Sequence, residues 1–191
     1  MKKIIYILLF ILPILLISCS SSNNNEQEES NFEINSMSVN ELMTKAQVLF
    51  EEKNYSEAFK YLKSLADQGD AKAQNNLGNM YRDGLGVTRS YPEAVRLYKL
   101  AADQGDAYAQ SNLGVMYEKG QGVTQSYPEA VRLYKLAADQ GLAIAQFNLG
   151  IMYENGQGVI QSYSEARKWY TLAANQGDAE AQNNLERIQN K

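Results

Sequence analysis

The chain has 191 residues, 22 acidic against 18 basic side chains, one cysteine and no histidine. One cysteine allows no intrachain disulfide, and the absence of histidine removes the commonest metal ligand and the commonest general base at neutral pH. A net charge of −4 argues against nucleic acid and against docking on anionic lipid head groups.

The N-terminus opens with Met1-Lys2-Lys3, and Ile4 to Ile17 is apolar apart from Tyr6 and Pro13. A basic start before a short apolar run reads as a secretory signal, shorter than the roughly 20 residues of a membrane-spanning helix. Small Ser18 before Cys19 resembles the lipobox of bacterial lipoproteins. That resemblance implies that residues 1–18 are cut away, that Cys19 is diacylated and that the new N-terminus is acylated. An uncleaved anchor helix with an incidental cysteine is the alternative. Loss of Lys2 and Lys3 leaves 16 basic residues against 22 acidic, a net charge of −6. Membrane attachment would then come from acyl chains, at about 0.8 kcal/mol per buried methylene, with two or more chains needed for stable anchoring. Ser20 after Cys19 favours the outer over the inner membrane under the common enterobacterial rule.

Residues 19–37 hold the cysteine and a run of Ser, Asn, Gln and Glu that cannot bury enough surface to offset its ordering entropy. They read as a flexible tether. Glu26-Gln27-Glu28-Glu29 is a weak candidate for a surface-sorting signal.

Residues 38–70 read as a pair of helices. Ser38-Val39-Asn40-Glu41 is a capping box opening the first, and Asn54-Tyr55-Ser56-Glu57-Ala58 opens the second. Three longer units follow at 71–106, 107–142 and 143–178, and a terminal helix at 179–191. The segment Ser90–Gly105 recurs unchanged as Ser126–Gly141, with a diverged copy at Ser162–Gly177. A period of about 36 residues marks stacked units rather than one globular core.

Each unit predicts two helices. In the first, Ala71, Gln74, Leu77, Gly78 and Tyr81 share one face. Gly78, Gly114 and Gly150 suggest a close helix contact repeated three times, while Gly84, Gly120 and Gly156 stop the helix in the left-handed conformation. The second helix starts at Ser90, Ser126 and Ser162, each three residues before a Glu, as in a capping box. Asp67, Asp70, Asp103 and Asp106 read as turn and cap residues, not calcium ligands. Gly84-Leu85-Gly86 and its copies lack the third glycine of a dinucleotide fingerprint and the Gly-Lys-Ser/Thr of a P-loop. The tyrosines that keep register, Tyr81, Tyr98, Tyr117, Tyr134, Tyr153 and Tyr170, read as core, as does Trp169. No metal site and no cofactor are expected, and no nucleophile–base pair can be built on histidine.

The pattern Ala-x-Ala-Gln-x-x-Leu-Gly-x-Met-Tyr, then Gly-x-Gly-Val, then Ala-x-x-x-Tyr-x-x-Ala-Ala-x-Gln-Gly resembles the Sel1-like repeat, a relative of the tetratricopeptide repeat. The resemblance covers Ala71 to Gln189. It implies an all-α, right-handed solenoid of helix pairs and an adaptor or scaffold role with no reaction. The best-known secreted members carry a cysteine pair in each repeat, which this chain lacks.

On a helical wheel, Gln74, Leu77, Gly78 and Tyr81 mark the packed side. Lys72, Asn75, Asn76 and Asn79 fall opposite, with equivalents Tyr108, Ser111, Asn112 and Val115, then Ile144, Phe147, Asn148 and Ile151, then Glu180, Asn183 and Asn184. In tetratricopeptide repeats, which this resembles, these positions line a concave groove. Asn76, Asn112, Asn148 and Asn184 stand mid-helix in every unit, where Asn is a poor helix former. They either hold the neighbouring unit or form a ladder toward a bound peptide. Polarity falls toward Ile144, Phe147 and Ile151, so partner binding is expected to be strongest at the C-terminal half, unless helix 178–189 or the tether covers that patch. The function read from these features is a lipid-anchored envelope protein presenting a groove to a protein or peptide partner. The alternative is a hydrolase acting on β-lactams or cell-wall material.

Overall fold

The computed structural model describes residue 34 and residues 36–189; the leader, Cys19 and residues 20–33 of the tether lie outside the described residues. The chain divides into two compact units, residues 1–42 and 43–191. In the first, Ser38 and Glu41 form the expected reciprocal cap. The Ser38 backbone N–H donates to Glu41 Oε2 at 2.8 Å, and Glu41 N–H donates to Ser38 Oγ at 3.4 Å. The Ser38 hydroxyl donates to the same Glu41 oxygen at 2.7 Å, and this bond, with the Ser38 backbone N–H second, holds the Glu41 carboxyl below its usual range.

The described residues contain nine helices and no strand. They are α1 (Val39–Glu51), α2 (Tyr55–Asp67), α3 (Ala71–Asp83), α4 (Tyr91–Asp103), α5 (Ala107–Lys119), α6 (Tyr127–Asp139), α7 (Ala143–Asn155), α8 (Tyr163–Ala174) and α9 (Ala179–Ile188). From α2 onward each helix packs on its neighbours in the chain, which makes the second unit an α-solenoid.

The repeated residues explain the repeated geometry. Gly84, Gly120 and Gly156 end α3, α5 and α7 with φ of 72°, 64° and 66°, a left-handed turn that a side chain would strain. Gly78, Gly114 and Gly150 each lie under a tyrosine ring from the following helix: Tyr98, Tyr134 and Tyr170. These rings are fully buried. The glycine therefore makes room for an aromatic face rather than for another backbone.

The second glycine of each loop has a different task. A Cβ on Gly86, Gly122 or Gly158 would stand 2.4, 2.6 or 2.5 Å from the backbone of Tyr55, Tyr91 or Tyr127. Each loop thus rests on the start of the second helix of the preceding unit. This contact, not phosphate binding, accounts for the Gly-x-Gly pattern.

The caps at α4, α6 and α8 are half of the expected box. Ser90, Ser126 and Ser162 accept from the N–H of Glu93, Glu129 and Glu165 at 3.4, 3.4 and 3.3 Å. Their own N–H groups, which a capping box would give to the glutamate, donate instead to Tyr81, Tyr117 and Tyr153 carbonyls at 2.9 Å. The glutamates turn outward to Arg96, Arg132 and Lys168. Asp70, Asp106 and Asp178 cap α3, α5 and α9, whereas Leu142 stands at the equivalent place before α7 and gives no side-chain cap.

A glutamine chain ties the units together. Gln104, Gln140 and Gln176 each donate at 2.8 Å to the amide oxygen of Gln74, Gln110 and Gln146. Those three in turn donate to the carbonyls of Ala66, Ala102 and Ala138 in the helix before. Gln74, Gln110 and Gln146 are buried and Gln104, Gln140 and Gln176 exposed, and every amide of the chain is engaged across an interhelical boundary. At the C-terminus, α9 carries Glu186 at the register of Gly78, Gly114 and Gly150. Glu186 is exposed, as expected of a terminal helix.

Candidate interaction surface

The first helices α3, α5 and α7 carry the residues expected to face a partner. Tyr108 is 62% exposed and Ile144 is 48% exposed, and Asn76 is exposed as well. Asn112, Val115, Asn148, Ile151 and Asn184 are half-buried. Phe147 does not belong to this surface. It is buried in a cluster with Ala166, Tyr170, Ala173, Ala181 and Ile188, and Ile151 and Leu185 pack against that cluster. The C-terminal end of the apolar stripe is covered by α9.

Asn75 and Ser111, which share the Phe147 register, are buried too. A first helix in a stack is covered on one flank by its own partner and on the other by the next unit. This register falls on the second flank. Asn112 shows the contact directly: its amide donates to Asn75 Oδ1 at 2.9 Å and to Asn79 Oδ1 at 3.3 Å. At this rung the asparagine ladder holds the neighbouring unit. Asn184 accepts from Arg187 at 3.4 Å, a contact within its own helix.

An open cleft lies at the other end of the surface, between α1 and α3. It has a volume of 360 Å³ and is lined by Met43, Ala46, Phe50 and Leu62 with Gln47, Glu51, Asn76 and Asn79. Asn79 Oδ1 already accepts from the Tyr98 hydroxyl at 2.7 Å and from Asn112. Both lone pairs of that oxygen are used, so the Asn79 amide enters the cleft as a donor of N–H bonds. Apolar walls with a few fixed polar groups suit a peptide side chain flanked by main-chain carbonyls.

Deeper in the repeats, each buried tyrosine hydroxyl has an acceptor on its own first helix. Tyr98 uses Asn79, Tyr134 uses Glu118 Oε2 at 2.5 Å, and Tyr170 uses Glu154 Oε2 at 2.8 Å. Burial raises all three phenols above the ordinary tyrosine range, and at Tyr134 and Tyr170 the carboxylate adds to the rise. Arg187 closes on Glu154 with two bonds at 2.5 and 2.8 Å, and this pairing raises the Arg187 guanidinium. Trp169 is buried, with Lys168 and Lys135 over its ring at 5.0 and 5.5 Å. Among the described residues, no three Cys, Asp or Glu side chains are grouped to hold a metal, and no helix is long and apolar enough to cross a membrane.

The Sel1 repeat family model matches four segments, residues 49–70, 71–106, 107–142 and 143–178. The chain belongs to the Sel1 repeat family. The first matched segment extends the family pattern back into α2 and the end of α1, N-terminal to the Ala71 start read from the sequence. A Sel1 repeat protein of Oxalobacter formigenes is 38% identical, with a TM-score of 0.71 over 75% of this chain and 57% of its own. A protective antigen of uropathogenic Escherichia coli with an SLR fold is 35% identical, with a TM-score of 0.68 over 78% of this chain and 36% of its own. This Sel1 chain thus spans little more than half of the first relative and about a third of the second. Helicobacter pylori cysteine-rich protein B is 22% identical over 64% of this chain and 93% of its own, and its TM-score of 0.51 shows a shared fold alone. None of the curated proteins matches. Sel1 repeats generally serve as protein–protein interaction scaffolds and are typically non-enzymatic.

Proposed function

We propose that this Sel1 protein is a lipid-anchored component of a bacterial cell envelope that presents its solenoid to a protein partner. The observation that carries the binding half is the cleft between α1 and α3, continued by exposed Asn76 and Tyr108 on the first helices. Its walls combine apolar side chains with amide donors, and no segment of the described second unit fills it. On this reading the partner docks nearer the N-terminal end of the solenoid than the sequence pattern suggested. The anchoring half rests on the leader: Lys2-Lys3, the apolar run Ile4–Ile17 and Ser18-Cys19. The absence of Asp after Cys19 favours the outer membrane, and the polar stretch from Ser20 gives length to stand clear of the lipid, although Ile34, expected in the tether, is helical and buried.

Two experiments test the two halves. Metabolic palmitate labelling of the full chain should be lost in Cys19→Ser, and label that persists in this variant refutes the lipoprotein reading. A photocrosslinker at Asn76 in living cells should capture a discrete envelope protein that one at Lys99, on α4, does not. Equal capture from both positions refutes the groove.

A further inference from the structure

Glu118 on α5 and Glu154 on α7 occupy the same register of consecutive units, as do Tyr134 and Tyr170. Each tyrosine hydroxyl donates to the carboxylate of its own unit. The remainder of the two carboxylates differs. Glu154 is closed by the fork of Arg187, two N–H bonds on two oxygens, and is only 8% exposed beneath it. Arg187 stands in α9 at the register held by Val115 in α5 and Ile151 in α7. The residue from the following unit that faces Glu118 in this way is therefore Ile151, which brings no charge. Glu118 stays half-buried, and the Tyr134 hydroxyl is its one side-chain hydrogen bond among the described residues. A carboxylate has roughly four acceptor positions, and one phenol fills one of them. Partial removal from water without a cation is unfavourable, and Glu154 shows which group relieves it.

We propose that the Glu118–Tyr134 pair is a binding site for a guanidinium group, an arginine side chain displayed by the partner protein that forks onto the Glu118 carboxylate with the two bonds Arg187 makes to Glu154. The planar fork of arginine matches two carboxylate oxygens, whereas lysine offers a point charge. Val115, one turn before Glu118 on the same helix face, supplies apolar surface for the methylene stem. The site rests on the reading of this face as protein-binding and deepens it by naming a side chain that the partner presents.

The test is an NMR titration of the full chain with the blocked tripeptide acetyl-Ala-Arg-Ala-amide and with its citrulline counterpart, which keeps the side-chain shape and loses the charge. The arginine peptide should shift Tyr134 and Glu118 resonances, the citrulline peptide should not, and Glu118→Gln should weaken arginine binding at least about tenfold. Arg187→Ala uncovers the second pair, so Tyr170 should join the responding residues. Equal response to citrulline, or shifts scattered over surface acids and unchanged by Glu118→Gln, overturns the site. If Arg187→Ala also loosens α9, the Glu118→Gln comparison in an otherwise intact chain still decides. The titration needs no cellular partner, so its failure and a failure of the Asn76 crosslink are separately visible.

Discussion

Gly114→Val should lower the thermal midpoint by several degrees, and even Gly114→Ala should lower it. The alanine result is the sharper of the two. In an open helix, replacing glycine by alanine is favourable by about 1 kcal/mol through backbone entropy. At Gly114 the added Cβ would stand 2.7 Å from Tyr134 Cε1 and 2.8 Å from Cδ1. The ring cannot swing aside freely, because it is fully buried and its hydroxyl is tied to Glu118. The steric term should therefore exceed the propensity gain. Valine adds two more methyl groups to the same gap, in the overpacking range of about 1–3 kcal/mol. At about 2–4 °C per kcal/mol for a chain of this size, the shift is easily read by circular dichroism. Units in a stack lean on their neighbours, so the loss should appear as one lowered transition rather than as local fraying of α5. The same substitutions at Gly78 and Gly150 meet Tyr98 and Tyr170 at similar distances and should behave alike. An alanine variant as stable as the parent would show that the ring slides, and that the glycine is not there for packing.

Much of this architecture was legible because the same solution is written several times. Helix ends were readable from Gly84, Gly120 and Gly156, and the buried tyrosines from their register. The cap at Ser38–Glu41 could be read whole, since both of its bonds are local. The half-caps at Ser90, Ser126 and Ser162 could not. Whether a serine N–H turns to its own glutamate or to Tyr81, Tyr117 or Tyr153 depends on how the preceding loop returns, and that is a tertiary fact. The glutamine chain has the same limit. Gln74, Gln110 and Gln146 keep the repeat period, but the period does not say that each reaches a carbonyl in the helix before. The cleft was invisible for a related reason. Met43, Ala46 and Phe50 look like ordinary core positions of α1 until the distance between α1 and α3 is known. The Arg187–Glu154 pair joins two units through a register that holds Asn79, Val115 and Ile151 in the earlier units, so repetition gave no hint of it.

Phe147→Ala should be the most damaging single change in the C-terminal half, costing about 3–5 kcal/mol. The helical wheel places Phe147 on the groove face with Ile144 and Ile151, and on that basis Phe147→Ala with Ile151→Ser would spare stability and abolish binding. The structure gives the opposite expectation. A wheel separates a packed side from an open side, yet a first helix in a stack has two packed flanks, and the Phe147 register belongs to the second. Its ring meets Tyr170 at 5.8 Å and is 8% exposed, enclosed with Ala181 and Ile188 of α9. Truncation opens a cavity beneath the terminal helix. The Arg187–Glu154 pair, with Arg187 half exposed, is left as a minor tether and cannot replace a ring of apolar contact. Hydrogen exchange should show α9 amides losing protection first, followed by α8, while α2 and α3 keep theirs. Tyr108→Ala is the matched control: with 62% of the residue already in solvent, it should leave the midpoint within the equivalent of about 0.5 kcal/mol. If instead Phe147→Ala melts like the parent and α9 stays protected, the terminal helix does not seal this end, and the apolar stripe returns as the place where a partner docks.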